Sequence, residues 1–144
     1  MSKFALFMKE NKVTRQNAKF APTDTMIDND GNPLEWEFRP ITSKENDELR
    51  ASCTNEIPVT GKPNVFRPRV DTNAYLAKII VASTVVPDLY DAELQDSYGV
   101  KTPEDLLYAM VDNAGEYQNL VAWIQKFQGF TEDFEGKIKR AKNS

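Results

Sequence analysis

The sequence predicts an α+β fold, in which a small antiparallel β-hairpin or sheet in the N-terminal half packs on a mostly α-helical C-terminal half. Three observations carry this prediction: residues 34–40 alternate like a strand, residues 42–45 form a helix-capping sequence, and apolar residues after position 71 recur at helical spacing. Of the 144 residues, 40% are hydrophobic and 28% are charged, as in ordinary globular proteins. We expect one domain over residues 1–144, with a β-rich part (1–70), a helical part (71–136) and a frayed basic tail (137–144).

Residues 13–21 and 34–40 are predicted to pair as an antiparallel hairpin. Leu34, Trp36 and Phe38 alternate with charged residues, which is the period of a strand with one buried and one solvated face. Between the two segments, residues 28–33 have a composition typical of turns. They also have the alternate acidic spacing of a calcium loop. Such a loop needs a glycine at its sixth position and a glutamate at its twelfth, and neither residue stands at these positions when the loop is counted from Asp28. We therefore predict a turn and no calcium site.

The rest of the first half contains one helix and one proline-rich segment. Thr42 and Glu45 form a capping box, because each side chain can accept a hydrogen bond from the amide of the other residue, and this predicts a helix to about Cys53. Residues 57–69 contain three prolines and a glycine, which exclude a central strand. An irregular edge hairpin and an extended arm both fit this composition.

The second half is predicted to be helical. Asp71 is placed to cap a helix over residues 72–86 that Pro87 stops. Because this helix is apolar on nearly every side, we expect it in the middle of the fold. Further helices are predicted from Asp91 to Tyr98, after Thr102, over residues 117–128, and from Phe130 to Ile138 ahead of the basic tail.

The charge distribution excludes several classes of partner. Residues 88–116 carry eight carboxylate side chains against one lysine. An acidic body repels phosphate backbones, so no nucleic-acid partner is expected. No apolar run approaches the ~20 residues that a membrane span needs, so no membrane partner is expected either. The single cysteine, Cys53, excludes an internal disulfide and fits a reducing cytosol.

No catalytic chemistry is predicted for this chain. It has no histidine, so a Ser-His-Asp or Cys-His arrangement cannot be built. The acids at 88–96 are the one remaining route, as metal ligands or as an acid–base pair, and a metal-dependent enzyme is the weakest of the functional alternatives. Acids that cap and decorate a short helix more often form a solvated face. We therefore expect no enzyme activity, no cofactor and no metal.

Residues 88–98 are the candidate partner-binding surface. The segment is rich in acids, tyrosines and leucines, and it lacks histidine, cysteine and a glycine-rich phosphate loop. In one interpretation it binds a partner through a charged rim and two aromatic anchors: Asp88, Asp91, Glu93 and Asp96, with Tyr90 and Tyr98. In the other, Leu89, Leu94 and Tyr98 pack inward and the acids face water. The sequence leaves both open.

Four blocks of sequence carry a resemblance to a known family. They read DGNPLEWEFRPIT (30–42), ENDELR (45–50), VVPDLYDAELQDSYGV (85–100) and GEYQNL (115–120), and the third is the most specific. Together they resemble the XkdN-like tail assembly chaperones of long-tailed bacteriophages and of prophages in Gram-positive bacteria. The resemblance spans nearly the whole chain and supplies no catalytic residues.

The resemblance implies a small factor in the cytoplasm of the bacterial host that is absent from the mature virion. Such a chaperone coats the tape measure protein, keeps it soluble and recruits tail tube subunits, with copies of the chaperone associating along the client. The six side chains named in residues 88–98 then form part of the client surface. The alternative function is a structural virion protein, such as a tail completion or connector subunit.

The resemblance also implies a programmed frameshift that yields a longer second product, through which the tail tube protein is recruited. Residues 141–143, Ala-Lys-Asn, can be encoded as GCA AAA AAC. This stretch contains A AAA AAC, a heptamer on which paired tRNAs can slip back by one base. We therefore expect the basic end of the sequence to mark a frameshift site rather than a functional tail.

Overall fold

The computed structural model describes residues 2–130 and confirms the α+β fold. Two short 3₁₀ turns, Ala5–Phe7 and Lys9–Asn11, precede the first strand. The strands and helices after them are β1 (Ala18–Phe20), β2 (Trp36–Phe38), α1 (Ser43–Ser52), β3 (Thr54–Pro58), β4 (Phe66–Val70), α2 (Thr72–Ser83), β5 (Thr84–Val86), α3 (Ala92–Ser97), α4 (Pro103–Met110) and α5 (Ala114–Phe127).

The predicted hairpin is confirmed, with shorter strands than expected. β1 pairs antiparallel with β2, with Ala18 opposite Phe38 and Phe20 opposite Trp36. The prediction was wrong for Leu34, whose side chain is 43% exposed instead of buried beside Trp36. Its amide donates to the Met26 carbonyl, so Leu34 belongs to the turn structure ahead of the strand. Within that turn, Asp28 Oδ1 accepts from the amides of residues 30 and 32, which are the local bonds of an Asx turn.

Helix α1 begins at the predicted capping box. Thr42 Oγ1 accepts from the Glu45 amide at 3.1 Å, and Glu45 Oε1 accepts from the Thr42 amide at 3.0 Å. The two guanidinium nitrogens of Arg39 also donate to the Glu45 carboxylate, at 3.1 and 2.6 Å. These bonds, from Arg39 first and then from the Thr42 amide, favour the charged carboxylate and lower the pKa of Glu45 to about 2.

The proline-rich segment forms a two-stranded ribbon, so the edge hairpin rather than the extended arm is the observed structure. β3 pairs antiparallel with β4, with Thr54 opposite Val70 and Pro58 opposite Phe66. Amide-to-carbonyl bonds join Val59 to Val65 and Asp71 to Cys53. In an antiparallel ladder the bonded pairs alternate, so Pro58 and Pro68 occupy positions whose amides would point outward. Each free edge of the ribbon therefore lacks one outward donor, which disfavours pairing with another strand at that position.

Helix α2 has the predicted cap but ends three residues earlier than predicted. Asp71 Oδ1 accepts from the Ala74 amide at 3.2 Å, and Ile79, Ile80 and Ala77 are buried at the centre of the fold, as expected. The prediction was wrong for the last turn, because residues 84–86 form β5 beside β2. Val85 and Val86 are consequently exposed. β-branched residues fit a strand better than a helix end, and a neighbouring strand was available here.

The remaining described helices agree with the prediction. Asp91, Thr102 and Asn113 cap α3, α4 and α5, respectively. Each side chain accepts a hydrogen bond from the backbone amide three residues later in the chain. Gly99 and Gly129 lie after α3 and α5 with positive φ values of 68° and 87°, which glycine adopts readily. The predicted last helix lies beyond Phe130, and the basic tail at 137–144 also lies outside the described residues.

The core lies between the three-stranded sheet and the helices. The sheet has the order β1-β2-β5, and Phe38 of its central strand is fully buried. From the helices come Ile80, Leu106, Leu120 and Ile124, each fully buried. At the edge of this cluster Trp123 stacks between Phe20 and Phe127, at centroid distances of 4.7 and 5.1 Å. The aromatic stack joins α5 to the outer strand of the sheet.

We expect Ile80→Ala to destabilise the protein by about 2–5 kcal/mol, because it removes buried methyl and methylene groups and leaves a cavity at the centre of the core. Urea denaturation followed by circular dichroism measures the change. The matched control is Ile27→Ala, at a position that is 58% exposed, where a much smaller loss is expected. Equal losses in the two variants would show that α2 is not the centre of the core.

Glu45→Gln should lower stability in a pH-dependent manner. The pKa of Glu45 is held at about 2 in the folded chain against an ordinary value of 4.5, so its contribution is complete above 4.5 and is lost as the pH falls toward 2. The difference in unfolding free energy between the wild type and Glu45→Gln should therefore be largest near neutral pH and shrink across that window. Glu48→Gln, on the exposed side of α1, is the control. A difference that does not change with pH would contradict the assignment.

Candidate binding surface

Residues 88–98 lie directly after the edge strand β5 and consist of a turn and helix α3. The turn is closed by the Asp91 amide, which donates to the Asp88 carbonyl at 3.1 Å. Asp88 Oδ1 also accepts from the Tyr90 amide at 3.0 Å. These bonds satisfy the backbone of the turn locally, so it holds its shape without a partner.

Leu89 anchors this segment to the core. It is 2% exposed and belongs to the main hydrophobic cluster, and Leu94 and Val100 pack against the same cluster. The Gln95 side chain donates to the Leu89 carbonyl at 2.8 Å, which ties α3 back to the turn. The leucines of the segment thus pack against the core, whereas its acidic side chains face solvent.

All six predicted site residues are exposed, but they do not converge on one point. An open depression of about 430 Å³ is lined by Asp88, Asp91, Glu93, Leu94 and Ser97. It brings together three of the four predicted rim acids. Asp96, Tyr90 and Tyr98 are outside its lining, although Tyr90 is 68% and Tyr98 40% exposed. We call residues 85–98 with these exposed side chains the acidic surface.

The two sequence interpretations each describe part of this arrangement. Leu89 and Leu94 do pack inward and the acids do face water, as the second interpretation requires. Tyr90 and Tyr98 nevertheless leave large aromatic area exposed, as the first requires. Aromatic rings that are exposed beside charged side chains are typical of protein-binding surfaces.

Two of the other acids in this region have partners within the protein. Glu104 pairs with Lys78 at 3.3 Å. Both carboxylate oxygens of Glu116 accept hydrogen bonds at 2.8 Å, one from the Thr23 hydroxyl and one from the Asp24 amide. These two carboxylates therefore hold segments together that are distant in the sequence. In the acidic surface, Asp88 and Asp91 accept hydrogen bonds from backbone amides of their own turn and helix, and Glu93 and Asp96 accept none from the described residues.

Two of the other hollows lie beside helix α2. One of about 280 Å³ lies between α2, α4 and α5 and is bordered by Tyr108 and Tyr117. Burial raises the pKa of Tyr117 well above its usual range, and its hydroxyl has no hydrogen-bond partner in the described part of the chain. Another, of about 500 Å³, lies where Ile57 and Arg69 of the ribbon face the first turn of α2. The carboxylate that lines this second hollow, Asp71, already accepts the capping hydrogen bond from the Ala74 amide.

Over residues 2–130, no group of three or more His, Cys, Asp or Glu side chains is arranged to hold a metal ion. Every helix in that range is too short or too polar to cross a lipid bilayer. Cys53 is buried at the end of α1.

Sequence reasoning missed two exposed features. The first is the segment before β1, where Phe4, Leu6 and Phe7 are 61%, 86% and 84% exposed. The second is the ribbon, where Val65 and Phe66 are exposed beside Arg67 and Arg69. Apolar residues in these segments were visible in the sequence, but only the fold shows that they are left uncovered.

One family model matches nearly the whole chain, and two relatives and a solved structure are similar to it. The family model described as phage XkdN-like tail assembly chaperone protein matches residues 4–142. Phage-like element PBSX protein XkdN of Bacillus subtilis strain 168 is 27% identical over 139 residues, which cover 96% of this chain and 93% of that protein. The uncharacterised protein YqbN of the same organism is also 27% identical over 139 residues, covering 96% and 92% of the two chains. A crystal structure of YqbN superposes with a TM-score of 0.72 at 22% identity, covering 90% of this chain and 98% of that one, which supports the fold.

Proposed function

Because the chain belongs to the phage XkdN-like tail assembly chaperone family, we propose that it binds the tape measure protein of its phage or prophage, keeps that protein soluble and recruits tail tube subunits to it. The function needs no cofactor and no catalytic step. It would operate in the cytoplasm of the bacterial host, before the virion is complete, and the finished particle would not contain the chaperone.

The acidic surface is the observation that carries this proposal. It is built on a turn and a helix that the core holds in place through Leu89, and it presents Tyr90 and Tyr98 beside exposed carboxylates. A tape measure protein is expected to be a long helix with apolar stripes and no globular core, which would aggregate unless covered. Exposed aromatic rings offer such a helix apolar contact, and the carboxylates attract its basic stretches.

The small size of the surface fits a chaperone that acts in many copies. One turn and a six-residue helix can cover only a short stretch of a long client. Each contact would be weak, and coverage would come from repetition along the client. A weak individual contact also suits a factor that must leave when tube subunits assemble.

The proposed client contact is tested by the double charge reversal Glu93→Lys with Asp96→Lys. Both side chains are exposed, and neither accepts a hydrogen bond among the described residues, whereas Asp91 caps α3 and would confound a binding measurement with a folding defect. We expect binding to the tape measure protein to weaken by roughly tenfold at low salt, and by less at high salt, because exposed charges are screened. Co-expression with the tape measure gene and quantitative pull-down at two salt concentrations measure the change.

The matched control is Asp47→Lys with Glu48→Lys, which changes the net charge equally at exposed positions of α1. Circular dichroism should show that both variants retain the wild-type fold. Unchanged binding in the Glu93/Asp96 variant at low salt, or an equal loss in the control, would place the client surface elsewhere.

We further propose that the tail tube protein is recruited through a longer product made by a −1 frameshift near residue 143. The two products would share one client-binding domain and differ in a second module. Residues 141–143 lie outside the described part of the chain, and the proposal depends on their codons. The gene should contain a slippery heptamer there, with a −1 frame that stays open past residue 144. Absence of either feature would remove this route to the tube protein and leave the client contact unaffected.

A further inference from the structure

The turn before β2 leaves apolar side chains uncovered among carboxylates. We call residues 24–35 the 24–35 turn. Its Ile27 side chain is 58% exposed, and its Leu34 side chain is 43% exposed. It contains no lysine or arginine. Its four acids are all exposed: Asp24, Asp28, Asp30 and Glu35. The 24–35 turn therefore combines apolar and acidic groups in the same way as the acidic surface, which also contains no basic residue.

The register of the sheet places the 24–35 turn beside the acidic surface. β5 is antiparallel to β2, with Glu37 opposite Val86, so the end of β5 lies beside the start of β2. The 24–35 turn leads into the start of β2, and the acidic surface continues from the end of β5. Both segments therefore leave the sheet at the same end and on neighbouring strands, whose backbones are about 4.8 Å apart.

Both segments are anchored in the same hydrophobic core. Leu89 belongs to the core cluster, and Met26 packs against it. The next residue along the chain is exposed in each case, because Ile27 follows Met26 and the 68% exposed Tyr90 follows Leu89. The core therefore holds the backbone of both segments, and each presents an apolar side chain to solvent directly beside its anchor.

The 24–35 turn is also fixed by hydrogen bonds within the chain. At its base, the Thr23 hydroxyl and the Asp24 amide each donate to the Glu116 carboxylate at 2.8 Å, which joins the turn to α5. Across the turn, the Leu34 amide donates to the Met26 carbonyl at 2.8 Å. Because little backbone freedom remains to be lost, binding at this turn costs little conformational entropy.

We propose that the 24–35 turn and the acidic surface form one combined surface, on which a basic amphipathic helix of the client lies across the ends of β2 and β5. This inference rests on the proposed function and extends it, because it adds a second segment to the client contact and specifies the client's chemistry. Ile27 and Leu34 would contact the helix from the β2 side, and Val86 and Tyr90 from the β5 side.

The dimensions and the charge of the combined surface specify the client segment. One turn of an α-helix rises about 5.4 Å, which is close to the spacing of about 4.8 Å between neighbouring strands. Apolar client residues three or four positions apart can therefore contact one segment each. Because neither segment has a basic side chain, lysines and arginines on the flanks of the helix are attracted and acidic flanks are repelled. The combined surface thus selects a helix with an apolar stripe and basic flanks.

The ribbon offers exposed apolar area of the opposite charge. Val65 and Phe66 are 44% and 57% exposed there. Over residues 54–70 the chain has two arginines and one lysine against one glutamate. The ribbon therefore repels a basic helix, and it serves as an internal control for the loss of exposed apolar side chains.

The charge contribution is tested by Asp30→Lys with Glu35→Lys. Both side chains are exposed and accept no hydrogen bond from the described residues, whereas Asp28 closes the turn and is left unchanged. We expect the affinity for the tape measure protein to fall roughly tenfold at low salt and by less at high salt, because exposed charges are screened. The control is Asp47→Lys with Glu48→Lys, and quantitative pull-down of the full-length chain with the co-expressed tape measure protein measures both.

The apolar contribution is tested by Ile27→Ser with Leu34→Ser, which changes no buried residue. The affinity should fall at least roughly fivefold, and by a similar factor at both salt concentrations, because the lost contact is apolar rather than ionic. Val65→Ser with Phe66→Ser removes exposed apolar side chains from the ribbon and should bind as the wild type does. Circular dichroism should show the wild-type fold in every variant.

Hydrogen–deuterium exchange measures whether one client segment covers both parts of the combined surface. With the shortest tape measure fragment that the chain still binds, we expect amides of residues 26–35 and of residues 88–98 to become protected together. Protection of only one of these two segments would overturn the combined surface.

Two further outcomes would overturn the combined surface, and they differ in what they leave standing. In the first, the variants of the 24–35 turn lose no more affinity than their controls, while Glu93→Lys with Asp96→Lys loses binding. The client contact is then confined to the acidic surface, and the proposed function stands. In the second, the variants of both segments bind as the wild type does, and the proposed client contact fails as well.

Discussion

Ser83 is the point on which the arrangement of this protein depends. Its side chain is fully buried and donates to the Ile79 carbonyl at 2.7 Å while accepting from Gln128 Nε2 at 2.8 Å. Its own carbonyl accepts from the Arg39 amide at 2.8 Å. One buried residue therefore joins the end of α2, the end of β2 and the end of α5. Buried polar groups left without such partners cost about 1–3 kcal/mol each, so the three elements are held to one relative placement.

Gln128 extends the same junction across the sheet. Its Nε2 also donates to the Arg39 carbonyl at 3.0 Å, and its Oε1 accepts from the Ile41 amide at 3.0 Å. Helix α2 ends at Ser83, and β5 begins at the next residue and lies beside β2. The residues after β5 are therefore presented at the edge of the sheet, where the acidic surface begins. The polar junction thus lies where the chain leaves α2 for the strand that precedes the acidic surface.

In the acidic surface, the residues that hold the segment in place are different from the residues that it exposes. Leu89 and Leu94 anchor the acidic surface, and Asp88 and Asp91 satisfy its backbone, so its exposed rings are held without a partner. A surface that is already ordered loses little conformational entropy on binding. The segment before β1 is similar, since its own 3₁₀ turns order it while Phe4, Leu6 and Phe7 stay exposed.

Local signals in the sequence predicted the helix starts well, because a cap depends on residues three positions apart. The caps at Thr42, Asp71, Asp91 and Thr102 are all present in the structure. The end of α2 was missed because Thr84–Val86 had a strand partner that only tertiary structure supplies. The site residues were predicted as a segment, but the sequence could not separate these acids from Glu116, whose partners lie 92 and 93 positions away.

Hydrogen–deuterium exchange on the chain with and without the tape measure protein tests most directly whether the acidic surface receives the client. We expect amides between residues 88 and 100 to become protected in the complex, while those of the ribbon over residues 54–70 exchange as in the free chain. Protection confined to the ribbon, with residues 88–100 unchanged, would contradict this expectation.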